Sequence, residues 1–212
     1  MILTIAVLLG LQQGIAQQLS GRVPPAVSAV VKSLSTSFRA RGLPADPLVQ
    51  KAIEGSAKGV PSERVIAAVR LVAMQLDTAA AALRAGGMIS DTLAIAAGAF
   101  AINAGMAPRD ITNLVLRGGG QTTANVRLEL NVAGTLVALG VPSAEAGNLV
   151  SASLRAGRPA KELLSLPGRV QGEIAKGATP AQAAAGLARA AAAHDRRGPP
   201  PVPQSPPHPP HP

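Results

Sequence analysis

A glycine followed two or three residues later by a proline recurs at four places in this chain. The four segments read KGVPSERV, AGMAPRDI, LGVPSAEA and KGATPAQA. Glycine ends helices because it reaches positive φ without a Cβ clash, and proline fits the first turn of a helix, where its missing N–H costs nothing. The pattern predicts that one helix ends and the next begins at each place. The predicted structural hinges are Gly59 and Pro61, Gly105 and Pro108, Gly140 and Pro142, and Gly177 and Pro180.

Three of the predicted helices end in nearly the same sequence: LRAGG at 83–87, LRGGG at 116–120 and LRAGR at 154–158. An arginine in the last turn complements the partial negative charge at the carbonyl end of a helix, and the glycine after it closes the helix. These arginines, Arg84, Arg117 and Arg155, are also the candidate contacts of the chain to an anion.

The helix ends divide the chain into four units, 46–87, 88–120, 121–158 and 159–192. We therefore expect an all-α protein in which degenerate helical hairpins stack into a compact bundle or a short solenoid over residues 46–192. The spacing of the prolines is uneven, and the signature residues of tetratricopeptide, ankyrin and armadillo units are absent.

Small aliphatic residues supply nearly all of the apolar side chains. Hydrophobic residues make up 47% of the 212 residues, but aromatic residues only 1%, with two Phe and no Trp or Tyr. Alanine and leucine favour helices, and small side chains let helices approach closely. The composition therefore also predicts helices that pack across alanine and glycine.

Capping residues and prolines predict where the first helix of each unit begins. The segment that begins near Ser90 is apolar almost all round, which predicts a central helix. Pro167 is expected to kink or split the last of these helices. No alternation of period two is long enough for a sheet, and VRLELNV is the one candidate strand. The predicted starts are Asp46-Pro47, which should cap its helix, Ser90-Asp91, Thr122 or Thr123, and Pro159.

An apolar run over residues 2–11 opens the chain and is followed by the small residues Gly14 and Ala16. Signal peptidase requires small residues at the third and first positions before its cut, and the run is shorter than the ~20 residues of a membrane span. We predict a signal peptide over 1–16, cleaved near Ala16, and a secreted or periplasmic protein. A first core helix and an uncleaved membrane association are the alternatives, because no Lys or Arg precedes the run.

Residues 17–45 are predicted to form one amphipathic helix and a linker. The apolar positions Val27, Val30, Val31, Leu34 and Phe38 share one helical face, with Lys32, Ser35 and Arg39 elsewhere. We expect this face to pack into the core. The alternative is a helix lying on a membrane surface, since basic residues flank the apolar stripe.

Residues 193–212 are rich in proline and are predicted to be a disordered, polyproline-II-like tail. The segment PPVP would fit a reader with an aromatic groove, but a solvated spacer is the expected role.

The formal net charge is +9 at pH 7, and the basic residues are scattered from Arg22 to Arg197. Such a surface attracts anionic lipid or polymer. Nucleic acid is not the expected partner, because there is no polybasic block and no basic stretch interleaved with aromatic residues.

The sequence argues against an enzyme. There is no Cys, and the three His are His194, His208 and His211, at or beyond the end of the predicted body, so that no Ser-His-Asp set and no metal site is expected there. RGGGQTT has Gln121 where a phosphate-binding loop needs lysine. The acidic residues, among them Glu129, Glu145, Glu162 and Glu173, are expected to cap helices or lie on exposed faces. We predict no catalytic residue and no cofactor.

These observations predict an exported, non-catalytic helical protein of a bacterial-type envelope that binds a protein partner across stacked helices. The first alternative is a basic envelope protein that contacts anionic lipid or polymer. The second is a hydrolase with an unfamiliar carboxylate or lysine site.

Overall fold

A computed structural model of the chain describes residues 14–88, 91–118 and 122–195, and all regular secondary structure in these ranges is helical. The predicted all-α class is confirmed, and VRLELNV lies within a helix. Most of the predicted signal peptide and of the proline-rich tail falls outside these ranges. The ten helices are α1 (14–19), α2 (Pro25–Ala40), α3 (Asp46–Ala57), α4 (Ser62–Ala85), α5 (Thr92–Asn103), α6 (Pro108–Arg117), α7 (Thr123–Ala138), α8 (Ser143–Arg155), α9 (Ala160–Ala175) and α10 (Pro180–Asp195).

Side chains cap two of the predicted helix starts. The Asp91 carboxylate accepts a hydrogen bond from the backbone N–H of Ala94 at 2.7 Å, and the Thr122 hydroxyl accepts one from Asn125 at 3.4 Å. The predicted cap at Asp46 is wrong. Asp46 is the first helical residue of α3, and no side chain caps this end, so its carboxylate acts only through the helix dipole.

The four hinge glycines all adopt positive φ: 66° at Gly59, 105° at Gly105, 87° at Gly140 and 100° at Gly177. At each, the next residue donates to the carbonyl five residues back, as Val141 N–H does to Leu136 at 3.1 Å. This is the Schellman end, which pairs carbonyls that a helix otherwise leaves unsatisfied. The hinge prolines directly precede α4 and α8 and are the first residues of α6 and α10.

The repeated LR sequences end helices too. Arg84, Arg117 and Arg155 lie in the last turns of α4, α6 and α8. Gly87 and Gly157 then take φ of 85° and 67°. The corresponding glycines after α6, residues 119 and 120, lie outside the described residues.

Gly140→Val should lower the free energy of unfolding by about 2 kcal/mol, because a β-branched residue at positive φ strains the backbone. Gly172→Val is the matched control: Gly172 lies within α9, and a Cβ there would meet nothing within 4 Å. Urea unfolding followed by circular dichroism measures both changes. Equal stability of the two variants would contradict the role of Gly140 as a left-handed helix end.

From α4 onward, the helices pack in two rows that lie against each other. We call them the even row and the odd row after the numbers of their helices. In the even row, α4 contacts α6, α6 contacts α8, and α8 contacts α10. In the odd row, α5 contacts α7 and α7 contacts α9. The rows meet through α4 with α5, α7 with α8, and α9 with α10, while α2 and α3 pack on α4. In the predicted unit 88–120, α5 packs mainly on α4 and α7, and α6 on α4 and α8, rather than on each other.

Glycine and alanine set the closest helix contacts, as the composition predicts. A Cβ built on Gly134 of α7 would lie 2.9 Å from the Ala101 Cα of α5 and 2.8 Å from the Phe100 ring. A Cβ on Gly98 of α5 would lie 3.0 Å from the Ala79 Cβ of α4. Side chains of ordinary size would hold these helix axes further apart.

The even row is also joined by polar contacts. The Ser143 hydroxyl at the start of α8 donates to the Asp110 carboxylate of α6 and accepts from the Ala107 backbone N–H at 2.9 Å. The Thr112 hydroxyl donates to the Ala82 carbonyl of α4 at 3.0 Å. Asp110 is buried, and the bond from Ser143 compensates for the removal of its carboxylate from water.

Helix α2 lies with its apolar face in the core. Val27, Val31 and Phe38 are buried, in agreement with the expected packing role. The placement of Ser35 off this face is wrong, since Ser35 is fully buried. Residues 31, 35 and 38 are spaced by four and three, so they share one side of a helix. The polarity of serine favours an exposed position, but the spacing along the helix places Ser35 on the buried side.

Helices α9 and α5 differ from the sequence expectations in continuity and in burial, respectively. Helix α9 runs through Pro167 without a break, so this proline does not split it. Helix α5 lies between α4 and α7, yet Leu93 and Phe100 are 57% and 44% exposed. The apolar sequence of α5 thus supplies both core and surface.

Helix α4 is the one helix of the described residues long and apolar enough to cross a membrane. In the structure it packs against α2, α3, α5 and α6.

Candidate functional site

The predicted hinge residues lie at helix junctions along the chain rather than around one cavity. The third and fourth junctions do meet, since a Cβ on Gly140 would lie 3.5 Å from the Pro180 ring. These residues therefore shape the scaffold and bring no reactive group to a common point.

Two of the three candidate anion contacts lie together. Arg117 and Arg155 line one cleft of ≈ 200 Å³ between the carbonyl ends of α6 and α8, and Arg84 is not part of it. We call this the α6–α8 cleft. It is lined by Leu114, Arg117, Gly118, Ser151, Leu154 and Arg155.

The polar groups of the α6–α8 cleft are incompletely paired. One Arg117 nitrogen donates to the Asn148 side-chain oxygen at 2.6 Å, which fixes its guanidinium. Within the described residues neither Arg117 nor Arg155 forms an ion pair. The Ser151 hydroxyl is buried and has no hydrogen-bond partner. A buried hydroxyl without a hydrogen-bond partner costs free energy.

A second concave region is a groove of ≈ 260 Å³ where α3, α4 and α5 meet. We call it the α3–α5 groove. Its apolar part comprises Val72, Ala96, Ala99 and the half-exposed ring of Phe100. Its polar edge includes Gln75 and Asn103, which hydrogen-bond to each other at 3.1 Å. An apolar floor with a polar edge is typical of sites that bind an apolar side chain of a partner.

Glu54 lines the α3–α5 groove and also lines a larger cleft of ≈ 540 Å³ between α3 and the segment that contains Gln18 and Arg22. Hydrogen bonds from Lys58 and then from Lys51 hold the pKa of this carboxyl below its usual value. Glu54 is therefore a surface carboxylate whose negative charge is offset by two lysines. Its lowered pKa makes it a poorer proton acceptor than an ordinary glutamate.

No group of side chains that could hold a metal ion is found among the described residues. No three His, Asp or Glu side chains of that part of the chain are close enough to hold a metal ion. The expectation that Glu129 caps a helix or lies on an exposed face is wrong, since it is 1% exposed within α7. His194 stands at the end of α10, and His208 and His211 lie outside the described residues.

The sequence did not predict the groove or the buried hydroxyl of the cleft. Leu93, Ala96, Phe100 and Asn103 share one face of α5 by spacing, but a helix that is apolar almost all round does not reveal which side stays exposed. Ser151 is flanked by small residues, and nothing in its local sequence distinguishes a buried serine from an exposed one.

Searches with this chain found no matching family model, no matching curated protein and no matching solved structure.

Proposed function

We propose that this chain is an exported, non-catalytic helical protein that binds a protein partner through the α3–α5 groove. Hairpins such as α3–α4, α7–α8 and α9–α10 would stack into a compact bundle or a short solenoid, and stacked helices present an extended surface of this kind. The observation that carries the proposal is the half-exposed Phe100 ring in a groove that apolar and polar side chains line together.

The chemistry of the groove favours a particular partner. Phe100 is one of two aromatic residues in the chain, and the other, Phe38, is buried in the core. Aromatic side chains dominate the binding free energy of protein interfaces, above all when a pocket encloses them. We therefore propose a partner that inserts one apolar side chain against Phe100 and hydrogen-bonds to Gln75 and Asn103.

Phe100→Ser should weaken partner binding roughly thirtyfold, since loss of a central aromatic residue typically costs about 2 kcal/mol or more. The full-length chain, carrying an affinity tag, is incubated with the exported protein fraction of its source cells and then recovered with any bound protein. A protein retained by the wild type is then identified, and its affinity is measured with wild type and variant. Because Phe100 also contacts α7, a thermal melt checks that the variant stays folded.

Leu164→Ser is the matched control, because Leu164 is 62% exposed on α9 and does not line the groove. Binding should be unchanged in this variant. Binding of the partner by the wild type should also persist at about 0.5 M salt, where the Debye length falls to about 4 Å. Equal binding by Phe100→Ser and wild type would refute the groove as the binding site.

The basic surface supports the alternative, a protein that contacts anionic lipid or polymer. The net charge of +9 favours it. The face of α2 that would enter a membrane is packed in the core, so charge alone would drive such binding. Binding to vesicles with anionic headgroups that disappears at about 0.5 M salt, together with no groove-dependent partner, would favour this function.

Export is part of the proposal. Cleavage near Ala16 would remove Ile15 and keep Leu19, and both are buried in the structure. Mass spectrometry of the mature protein from the exported fraction determines the first residue directly. A mature chain that still begins at Met1, found in the cytoplasmic fraction, would contradict export.

A further inference from the structure

The α6–α8 cleft carries positive charge in excess of what its two helix ends need. An α-helix presents a partial charge of about −0.5 at its carbonyl end. Arg117 and Arg155 bring two full positive charges to the ends of α6 and α8, which leaves about +1 after both dipoles are offset. Neither arginine forms an ion pair with a carboxylate among the described residues. The cleft therefore has the charge to hold one anion.

The cleft has side chains that can donate hydrogen bonds to an oxyanion. A guanidinium has five N–H donors, and the bond to Asn148 uses one of those on Arg117. Ser151 lines the same cleft and is 4% exposed, and its buried hydroxyl has no hydrogen-bond partner. A hydroxyl taken out of water without a partner is unfavourable, and an anionic oxygen in the cleft would satisfy it.

The walls and the size of the cleft restrict the kind of anion. Leu114 and Leu154 line it beside the charged groups, so part of a bound molecule would lie against apolar surface. Its volume of ≈ 200 Å³ corresponds to about seven water molecules at ~30 Å³ each. The space suits a molecule of similar size with one charged end.

We propose that the α6–α8 cleft is a binding site for a small carboxylate that has a short apolar chain. The carboxylate accepts hydrogen bonds from Arg155, Arg117 and the Ser151 hydroxyl, and the apolar chain lies against Leu114 and Leu154. This site is separate from the α3–α5 groove and does not depend on the function proposed for that groove.

The test uses valerate, a five-carbon carboxylate with seven non-hydrogen atoms, and its neutral analogue valeramide. Valerate is titrated into the ¹⁵N-labelled full-length chain while the backbone amide signals of Gly118 and Ser151 are followed by NMR. We expect saturable shifts with a Kd on the order of 1 mM, which is typical of a ligand this small. Valeramide and inorganic phosphate should each bind about tenfold more weakly, because one lacks the charge and the other the apolar chain.

Arg155→Gln should weaken valerate binding about tenfold or more, since it removes a charge-assisted hydrogen bond. Arg84→Gln is the matched control: Arg84 also lies in the last turn of its helix, α4, but does not line the cleft. Ser151→Ala should weaken binding about three- to tenfold without lowering the melting temperature, because the hydroxyl has no partner to lose. Thermal melts of all three variants establish that they fold.

Three results would overturn the site. The first is the absence of saturable shifts at roughly tenfold the expected Kd. The second is equal loss of binding in Arg84→Gln and Arg155→Gln, which would mean attraction to the basic surface as a whole. The third is valeramide or inorganic phosphate binding as tightly as valerate, which would contradict the assigned ligand class.

Discussion

Replacing Gly134 by leucine is expected to lower the free energy of unfolding by about 3 kcal/mol. The first atom of the new side chain would lie 2.9 Å from the Ala101 Cα, and backbone cannot move aside as a flexible side chain can. Helices α5 and α7 must therefore separate, and the contacts along their length are lost together. Overpacking of a close contact typically costs 1–3 kcal/mol and at times more.

The same substitution at Gly172 separates this steric effect from helix propensity. Gly172 lies within α9, and a Cβ there would meet nothing within 4 Å. Gly172→Leu should be neutral or should stabilise the protein by up to about 1 kcal/mol, because leucine favours a helix over glycine. Urea unfolding measures both free energies. A loss at Gly134 no larger than at Gly172 would mean that the α5–α7 contact is looser than the structure shows.

Replacing Leu136 by alanine is the second large expected effect, a loss of about 2–5 kcal/mol. Leu136 is fully buried in α7, which contacts α5, α8 and α9. Truncation removes apolar surface that is buried among several helices and leaves a cavity that the remaining small side chains fill poorly. A domain of this size commonly has a free energy of unfolding of only about 5–15 kcal/mol, so the substitution would remove a considerable part of it.

Leu164→Ala provides the comparison, since Leu164 lies on α9 with 62% of its surface exposed. Its truncation should change the free energy of unfolding by less than about 0.5 kcal/mol. The two variants remove the same atoms, so the difference in their urea midpoints reports burial alone. A similar small loss for Leu136→Ala would show that α7 is not at the centre of the core.

Helix ends were the features that sequence predicted best. The glycines at 59, 105, 140 and 177 take the positive φ that the Gly–Pro pattern anticipates, and Asp91 and Thr122 cap helices at two of the predicted starts. These are local effects: a missing Cβ or a short polar side chain acts on the backbone within one turn of a helix. The cap expected at Asp46 failed because the helix begins one residue earlier than the capping geometry requires.

Burial was predicted less well, because it depends on contacts between residues far apart in the chain. Glu129 and Ser35 are polar, and their residue types favour exposure, yet both are buried. Phe100 shows the converse, since α5 packs on α4 and α7 in a way that leaves this ring at the surface. In each case the orientation of the whole helix decides whether one side chain is buried or exposed.

The same distinction applies to the α6–α8 cleft. The sequence marks Arg84, Arg117 and Arg155 as equivalent, since all three stand in the last turn of a helix. The fold makes them different, because α6 and α8 pack side by side and bring two of the three to one cleft with Ser151.

By itself the sequence determined that this chain is helical and where most of its helices begin and end. Propensity, capping and the conformational freedom of glycine act over a few residues and can be read directly from it. The tertiary structure alone decided which helices are neighbours, which side chains are buried, and which charged groups share a cleft. Those outcomes follow from how close the helices can approach, at contacts such as Gly134 with Ala101, where residues distant in sequence must fit one another.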